Sequence, residues 1–168
     1  KYSGYSAWRG VGKSELQCVH FVLGPNSHIV NYPLNKEGDV SFVGVLREPN
    51  EFDESWREEG SHEDFLGDFS IYDPSIFPTL DDSTKLYKWG IYVRSPLKSM
   101  TVQNITLLGD AAHPMAPFIG QGGCMAIEDA YSFGLLCKRN LGDFSQVQKT
   151  YNSMRSKRTK KIQRRSMM

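Results

Sequence analysis

Apolar and polar residues alternate with a period of two along residues 17–46, and this pattern constrains the fold more than any other feature. Such a period places successive side chains on opposite faces of a β-strand, whereas a helix requires a period of about 3.6. Turn residues interrupt the alternation at 24–27 and 35–39, which predicts three antiparallel strands joined as a meander. Residues 1–9 and 85–93 alternate similarly and predict two further strands of an antiparallel sheet.

A glycine- and proline-rich segment at residues 109–123 separates a short apolar stretch, 105–108, from a segment of helical periodicity, 124–141. This order predicts a short buried strand, a loop and a helix. Two short helices are also predicted in the acidic part of the chain, at residues 51–57 and 62–69. Together with the sheet, these elements predict a mixed α+β or α/β fold class.

The charged residues are distributed unevenly along the chain. Residues 138–168 contain ten Lys or Arg and one acidic residue, a formal charge of +9, whereas the remainder carries −8. A basic segment can bind nucleic acid, but no aromatic residue for base stacking is interleaved with the basic run at 157–165. We therefore predict a terminal helix with a solvated basic face and no nucleic-acid partner. The opposite, partly apolar face of this helix is predicted to comprise Tyr151, Met154, Arg158 and Ile162.

Nothing in the sequence indicates a membrane or secreted protein. No window approaches the ~18 consecutive apolar residues of a membrane helix, and the first residues lack the charged and then apolar pattern of a signal peptide. Cys18, Cys124 and Cys137 are odd in number and widely spaced, so they indicate neither a disulfide framework nor a metal site. We expect a cytoplasmic protein with no resident metal.

The glycine-rich loop at residues 109–123 is the strongest candidate for a ligand site. A loop that leads into a helix brings together unpaired backbone N–H groups and the positive end of the helix dipole, which suits an anion or an electron-rich ring edge. Gly120, Gly122 and Gly123 would let a flat ligand approach the backbone closely, and Asp110 can accept hydrogen bonds from sugar-like hydroxyls. A structural turn at the helix start explains the spacing at least as well.

Residues 107–136 resemble the second flavin-binding motif of the FAD-dependent aromatic hydroxylases, and their sequence is LLGDAAHPMAPFIGQGGCMAIEDAYSFGLL. These enzymes are single-component flavoprotein monooxygenases that include salicylate and 6-hydroxynicotinate hydroxylases. Residues 4–10 resemble the stretch after the middle motif of that family, and residues 28–34 resemble a strand of its substrate domain. The YxxxR pattern from Tyr151 to Arg155 is similar to its C-terminal helix. The resemblance therefore covers most of the chain.

The resemblance implies an FAD-dependent monooxygenase that uses NAD(P)H and O2 to hydroxylate a small phenolic or hydroxypyridine-type aromatic acid. It implies a substrate-binding sheet domain with an acidic helical insert at 1–100, the flavin motif at 101–141 and a basic helix at 142–168. An upstream half with a GxGxxG loop is missing, so this piece alone is expected to be inactive. An epoxidase or polyene hydroxylase and a non-catalytic assembly module stay open as alternatives. The sequence is compatible with a homodimer.

The resemblance also implies roles for individual residues of the loop and its helix. Asp110 is expected to hydrogen-bond the ribityl chain of FAD. Glu128 and Asp129 are expected to make a structural contact or to act on the helix dipole rather than in catalysis. The flavin ring is expected to lie along Pro117, Gly120, Gln121, Gly122 and Gly123.

Three residues are predicted to be catalytic, namely His28, Tyr32 and His113. His28 and Tyr32 stand four apart on a predicted strand and therefore point to one face. Tyr32 can hydrogen-bond a phenol or carboxylate, and His28 can accept a phenolic proton near neutral pH. His113 is expected near the flavin or the substrate. The alternatives are core packing for His28 and Tyr32 and a local backbone cap for His113, whereas Cys18 and His20 are weaker candidates for the same pocket.

Overall fold

The computed structural model describes residues 1–51, 58–140 and 142–167. The helix predicted at residues 51–57 lies outside the described residues except at its first position. None of the helices within the described ranges is both long enough and apolar enough to cross a membrane.

The described chain forms two compact units. The first unit comprises Tyr2–Tyr92, and the second comprises Val93–Met168 together with Lys1. Compactness alone does not assign a function to either unit, so the three functional segments predicted from the sequence stay a prediction.

The first unit is built on an antiparallel sheet of six strands within the described residues. These strands are β1 (Tyr2–Lys13), β2 (His20–Leu23), β3 (Ser27–Pro33), β4 (Asp39–Arg47), β5 (Glu59–Gly60) and β6 (Leu86–Tyr92). Their order across the sheet is β2-β3-β4-β1-β6-β5. The meander predicted at residues 17–46 is confirmed as β2, β3 and β4, and the strands predicted near both ends of this unit are confirmed as β1 and β6.

Buried aromatic rings cover one face of this sheet and hold α1 (His62–Asp68) against it. Ser61 caps α1 by accepting a hydrogen bond from the Asp64 amide, which confirms the helix predicted at residues 62–69. The ring centroids of Phe42, from the sheet, and Phe65, from the helix, lie 5.2 Å apart. The core comprises Trp8, Ile29, Phe42, Phe65, Phe69 and Leu86. This face of the sheet is therefore closed.

Gly44 lies in β4 beneath the Phe69 ring, where an added Cβ would be 2.4 Å from Phe69 Cζ. Gly44→Ala is expected to lower the free energy of unfolding by about 1–3 kcal/mol, because the ring must shift within a packed core. Gly67→Ala is the matched control, since a Cβ at this α1 position meets nothing within 4 Å and Ala is the better helix former. Urea unfolding of Gly44→Ala at parental stability would contradict this packing.

The second unit contains a two-stranded ladder and two long helices. The ladder pairs β7 (Thr101–Val102) with β8 (Ile105–Thr106), and the helices are α2 (Gly122–Arg139) and α3 (Phe144–Arg165). The helix predicted at 124–141 is thus confirmed as α2, with Leu141 outside the described residues.

The prediction of a short buried strand at residues 105–108 is wrong in the length of the strand and in its burial. The strand β8 has two residues, and Ile105 is 56% exposed. Gly109 follows with a φ of +55°, a left-handed conformation that ends the extended chain and starts a 3₁₀ turn at Gly109–Ala111. A second 3₁₀ turn, Pro117–Ile119, precedes α2.

The prediction of an apolar face on α3 is correct at Tyr151, while Ile162 is half-buried, and it is wrong at Met154 and Arg158. Met154 is 54% exposed and Arg158 is exposed. The face that is buried has a largely polar composition and comprises Val147, Gln148, Tyr151, Arg155, Thr159 and Gln163. A search for apolar periodicity misses this face because most of its residues are polar. Their side chains can be buried because they form hydrogen bonds within the unit.

Candidate functional site

A buried carboxylate, that of Asp129 in α2, holds the glycine-rich loop in place. Asp129 is fully buried, and its Oδ2 accepts hydrogen bonds from the Gly109 amide at 3.0 Å and from His113 Nε2 at 2.6 Å. Its Oδ1 accepts one from Arg155 Nε at 2.7 Å. Burial acts to raise the pKa of Asp129, but the hydrogen bonds outweigh burial and hold that pKa below its ordinary value. The ionised carboxylate therefore ties the loop to both long helices.

The neighbouring Glu128 connects this network to the surface of α3. Its carboxylate accepts hydrogen bonds from Arg158 Nε at 2.7 Å, Arg158 Nη2 at 2.6 Å and Arg155 Nη1 at 2.6 Å. The hydrogen bonds from Arg158 and then Arg155 overcome the effect of burial and lower the pKa of Glu128 to about 2. The structural contact expected for Glu128 and Asp129 is therefore present.

Polar side chains on the buried face of α3 bind the backbone around the loop. Each donates a hydrogen bond to a carbonyl oxygen: Gln148 to Ile105 (3.0 Å), Tyr151 to Leu107 (3.4 Å) and Gln163 to Pro114 (3.0 Å). Arg94 adds a further hydrogen bond, to the Ala111 carbonyl. The sequence signal for this face is a polar repeat every three or four residues, at 148, 151, 155, 159 and 163.

The loop held in this way presents an exposed carboxylate beside an open helix N-terminus. Asp110 is exposed, and its Oδ1 lies 4.0 Å from the point where a Cβ on Gly122 would stand. A Cβ on Gly120 or Gly123 would meet nothing within 4 Å. The N-cap Gln121 makes no side-chain capping bond, so the first amides of α2 are available as donors. This arrangement fits a flat ligand with hydroxyl groups and a polar or anionic edge.

All the predicted flavin contacts lie on this loop and at the start of α2. Pro117 is exposed and opens the second 3₁₀ turn, and Gly120 ends that turn with a φ of +59°. The structure brings Asp110 close to Gly122. The roles of these residues toward a flavin stay predictions.

His113 lies inside the second unit, with 2% of its surface exposed. Its Nε2 contacts Asp129, whereas its Nδ1 is buried with no partner among the described residues. An ionised carboxylate can only accept hydrogen bonds, so the contact with Asp129 places a proton on Nε2 of the ring. The ring of His113 therefore contacts the side chain of Asp129. The alternative, in which this ring caps the local backbone, is not what the structure shows. A catalytic role for His113 stays a prediction.

His28 and Tyr32 lie on the sheet face opposite the aromatic core, which we call the open face. The intervening residues Ile29 and Asn31 are buried toward the core, so the structure places His28 and Tyr32 on one face, as predicted. Burial lowers the pKa of His28 from its ordinary value. The ring is therefore neutral at pH 7 and able to accept a proton.

The prediction that His20 lines the same pocket as His28 is wrong. His20 pairs with Asn31, so it lies on the face of the aromatic core, and Leu23 is the residue that pairs with His28. Cys18 precedes the first residue of β2 and is exposed. The period of two shows which residues of a single strand share a face. Which residues of the neighbouring strand lie on that same face depends on the pairing register.

Arg9 is a candidate residue that the sequence analysis missed. It lies on the open face of β1, paired with Val43, which also pairs with Val30 between His28 and Tyr32. Its guanidinium carbon lies 5.1 Å from the centroid of Tyr87 and 5.7 Å from that of Trp89. A cation beside aromatic rings fits the carboxylate and ring of an aromatic acid. The alternation within the first strand is the signal that could have identified it.

Comparison with known proteins identifies relatives of this chain. A family model described as FAD binding domain matches residues 13–166. The chain is 36% identical over 140 residues to a 3-hydroxybenzoate 6-hydroxylase of Klebsiella oxytoca, covering 83% of this chain and 35% of that protein. It is 29% identical over 173 residues to a 3-amino-4-hydroxybenzoate 2-monooxygenase of Streptomyces platensis, covering 99% of this chain and 44% of that protein. The chain thus spans less than half the length of these relatives.

The fold also matches a solved structure. The crystal structure of Klebsiella pneumoniae HpxO complexed with FAD and uric acid superposes with a TM-score of 0.84 at 23% identity, covering 99% of this chain and 44% of that one. The fold class predicted from the sequence, an antiparallel sheet with a loop and C-terminal helices, is therefore confirmed.

Proposed function

Because the chain belongs to the FAD binding domain family, we propose that it is the FAD-binding portion of a flavin-dependent monooxygenase. The whole protein would use NAD(P)H and O2 to hydroxylate a small phenolic or hydroxypyridine-type aromatic acid. The names of two relatives, which specify a hydroxybenzoate and an aminohydroxybenzoate, support this substrate class. We further propose that an upstream half with a GxGxxG loop completes the enzyme, that the enzyme can form a homodimer, and that it works in the cytoplasm.

The open N-terminus of α2 beside Asp110 is the observation that carries this proposal. Asp110 would accept hydrogen bonds from the ribityl hydroxyls of FAD, and the glycines within 120–123 leave room for a flat ring to approach the backbone. The first amides of α2 would stabilise negative charge at the ring edge. When bound, FAD supplies the transfer of electrons from the nicotinamide to oxygen. The residues present therefore fit this cofactor.

The open face of the sheet supplies groups suited to an aromatic acid. Arg9 would bind the carboxylate, Tyr32 would hydrogen-bond a ring substituent, and His28 would accept the phenolic proton on an imidazole nitrogen. We propose that His113 acts indirectly. His113 and the Gly109 amide both form hydrogen bonds with the Asp129 carboxylate. These bonds would fix the backbone at Gly109 and thereby keep the next residue, Asp110, in position.

Asp110→Ala is expected to weaken FAD binding by about 10- to 100-fold, because it removes a charged acceptor whose hydrogen bonds are worth about 1.5–3 kcal/mol. The measurement is a fluorescence titration of the flavin-free intact protein. Lumiflavin lacks the ribityl hydroxyls, so its affinity should be unchanged by the substitution. Asp82→Ala removes another exposed carboxylate and should leave both affinities unchanged.

An intact protein that takes up no added FAD would contradict the proposed function and favour the assembly module. A parallel loss of FAD and lumiflavin binding in Asp110→Ala would contradict the role of Asp110 without contradicting FAD binding.

A further inference from the structure

The YxxxR pattern of α3 places Tyr151 and Arg155 on one buried face of this helix. The two residues stand four apart in sequence, so they lie about 6 Å apart along the helix axis. Tyr151 is fully buried and Arg155 is 5% exposed. Neither side chain is therefore available to a ligand that binds at the exposed loop. Any effect of this pair on such a ligand has to pass through other residues.

The guanidinium of Arg155 binds one whole turn of α2. Nε donates to Asp129 Oδ1 at 2.7 Å, Nη1 donates to Glu128 Oε2 at 2.6 Å, and Nη2 donates to the Met125 carbonyl oxygen at 3.4 Å. The Asp129 carboxylate is thereby held in one orientation, and its second oxygen accepts the Gly109 amide. A planar guanidinium suits this task because its donors are fixed relative to one another, whereas an ammonium is a single point charge on a flexible stem.

Tyr151 holds the same stretch of backbone at a second point. Its hydroxyl donates to the Leu107 carbonyl oxygen at 3.4 Å, and one residue separates Leu107 from Gly109. The helix α3 thus fixes the chain directly at Leu107 and, through Asp129, at Gly109. Gly109 has a φ of +55°, where the backbone turns away from the extended conformation. The direction of the chain at Asp110 therefore depends on how these two points are held.

We propose that the Tyr151–Arg155 pair positions Asp110 for FAD without contacting the cofactor. This inference rests on the proposed function, in which Asp110 accepts hydrogen bonds from the ribityl hydroxyls. A carboxylate that is already held in its binding position loses less conformational entropy when the ligand arrives, so holding it strengthens binding. The YxxxR pattern thereby acquires a role in cofactor affinity in addition to its contribution to the packing of α3.

Arg155→Lys is expected to raise the Kd for FAD by about 10-fold, the lower end of the loss expected for Asp110→Ala. The Kd for lumiflavin should be unchanged, because lumiflavin lacks the ribityl hydroxyls. In the Asp110→Ala background, Arg155→Lys should weaken FAD binding no further, since the residue it acts through is gone. The measurement is a fluorescence titration of the flavin-free intact protein, with circular dichroism on the same samples to verify folding.

Arg158→Lys is the matched control for Arg155→Lys. Arg158 is exposed on the same helix, and its guanidinium binds Glu128. The same chemical change at this position should therefore leave the affinity for FAD unchanged.

Tyr151→Phe tests the second contact and stands even where Arg155→Lys fails to fold. The Kd for FAD is expected to rise about 2- to 10-fold, the effect of one neutral hydrogen bond, and the Kd for lumiflavin should again be unchanged. Tyr72→Phe is the matched control. The Tyr72 hydroxyl also donates to a backbone carbonyl, that of Ser27 at 2.9 Å, but it lies in the first unit.

The outcomes separate this inference from the proposed function. A parent protein that binds no FAD contradicts the proposed function and overturns this inference with it. Where the parent binds FAD, unchanged FAD affinity in a folded Arg155→Lys or Tyr151→Phe variant overturns the inference alone. Equal losses of FAD and lumiflavin binding, or a further loss when Arg155→Lys is added to Asp110→Ala, overturn it as well.

Discussion

Asp129→Ala is expected to lower the free energy of unfolding by about 3–5 kcal/mol, because it leaves the buried Arg155 guanidinium without its buried counter-ion. The same change removes the acceptor of the Gly109 amide and of His113 Nε2. Three buried donors thus lose a partner in one substitution, and each unpaired donor adds a desolvation cost. Urea unfolding followed by circular dichroism measures the loss.

Asp143→Ala is the matched control for Asp129→Ala. Asp143 is exposed and caps α3 by accepting the Gln146 amide, so its loss should cost about 1 kcal/mol. Replacing the buried pair together, as Asp129→Leu with Arg155→Met, should recover part of the stability, since the buried guanidinium that loses the Asp129 carboxylate is then also removed. Equal losses for the two single Ala variants would contradict the buried network.

The sheet was predictable because buried apolar and exposed polar residues alternate along its strands. Each of the longer strands, from β1 to β6, has one face against the aromatic core, so the sequence shows a period of two wherever such a strand runs. The pairing of His20 with Asn31 was not predictable in this way, because register depends on the geometry of the turn between strands.

The candidate site was predictable only where it is contiguous in sequence. Asp110 and the glycines within 120–123 stand close together along the chain, and their residue types indicate a ligand loop. The support beneath them joins Gly109, Asp129 and Arg155, which are 20 and 26 residues apart. No periodic pattern connects such positions. The polar side chains of α3 that also bind the loop backbone make the buried face of this helix polar. The apolar periodicity by which a buried helix face is usually recognised is therefore weak.

Gly123→Leu is expected to raise the Kd for FAD by more than about 100-fold while leaving the protein at least as stable as the parent. Gly123 is exposed in the first turn of α2, and a Cβ there meets nothing within 4 Å, so the side chain fits the protein itself. Leu is also the better helix former, by about 0.5–1 kcal/mol. The same side chain would occupy the space through which a flat ligand reaches the backbone. Forcing the two together costs about 3 kcal/mol, which corresponds to the expected loss.

Gly134→Leu separates this blocking effect from any general effect of a bulky residue on α2. Gly134 is also exposed, and a Cβ there also meets nothing within 4 Å. It lies 11 residues further along the same helix, about 16 Å from Gly123, and cannot reach a ligand at the N-terminus. FAD titration of the two variants, with thermal unfolding on the same samples, should therefore show lost binding for Gly123→Leu alone. Equal losses in both variants, or unchanged binding in Gly123→Leu, would mean that FAD does not approach the backbone at this turn.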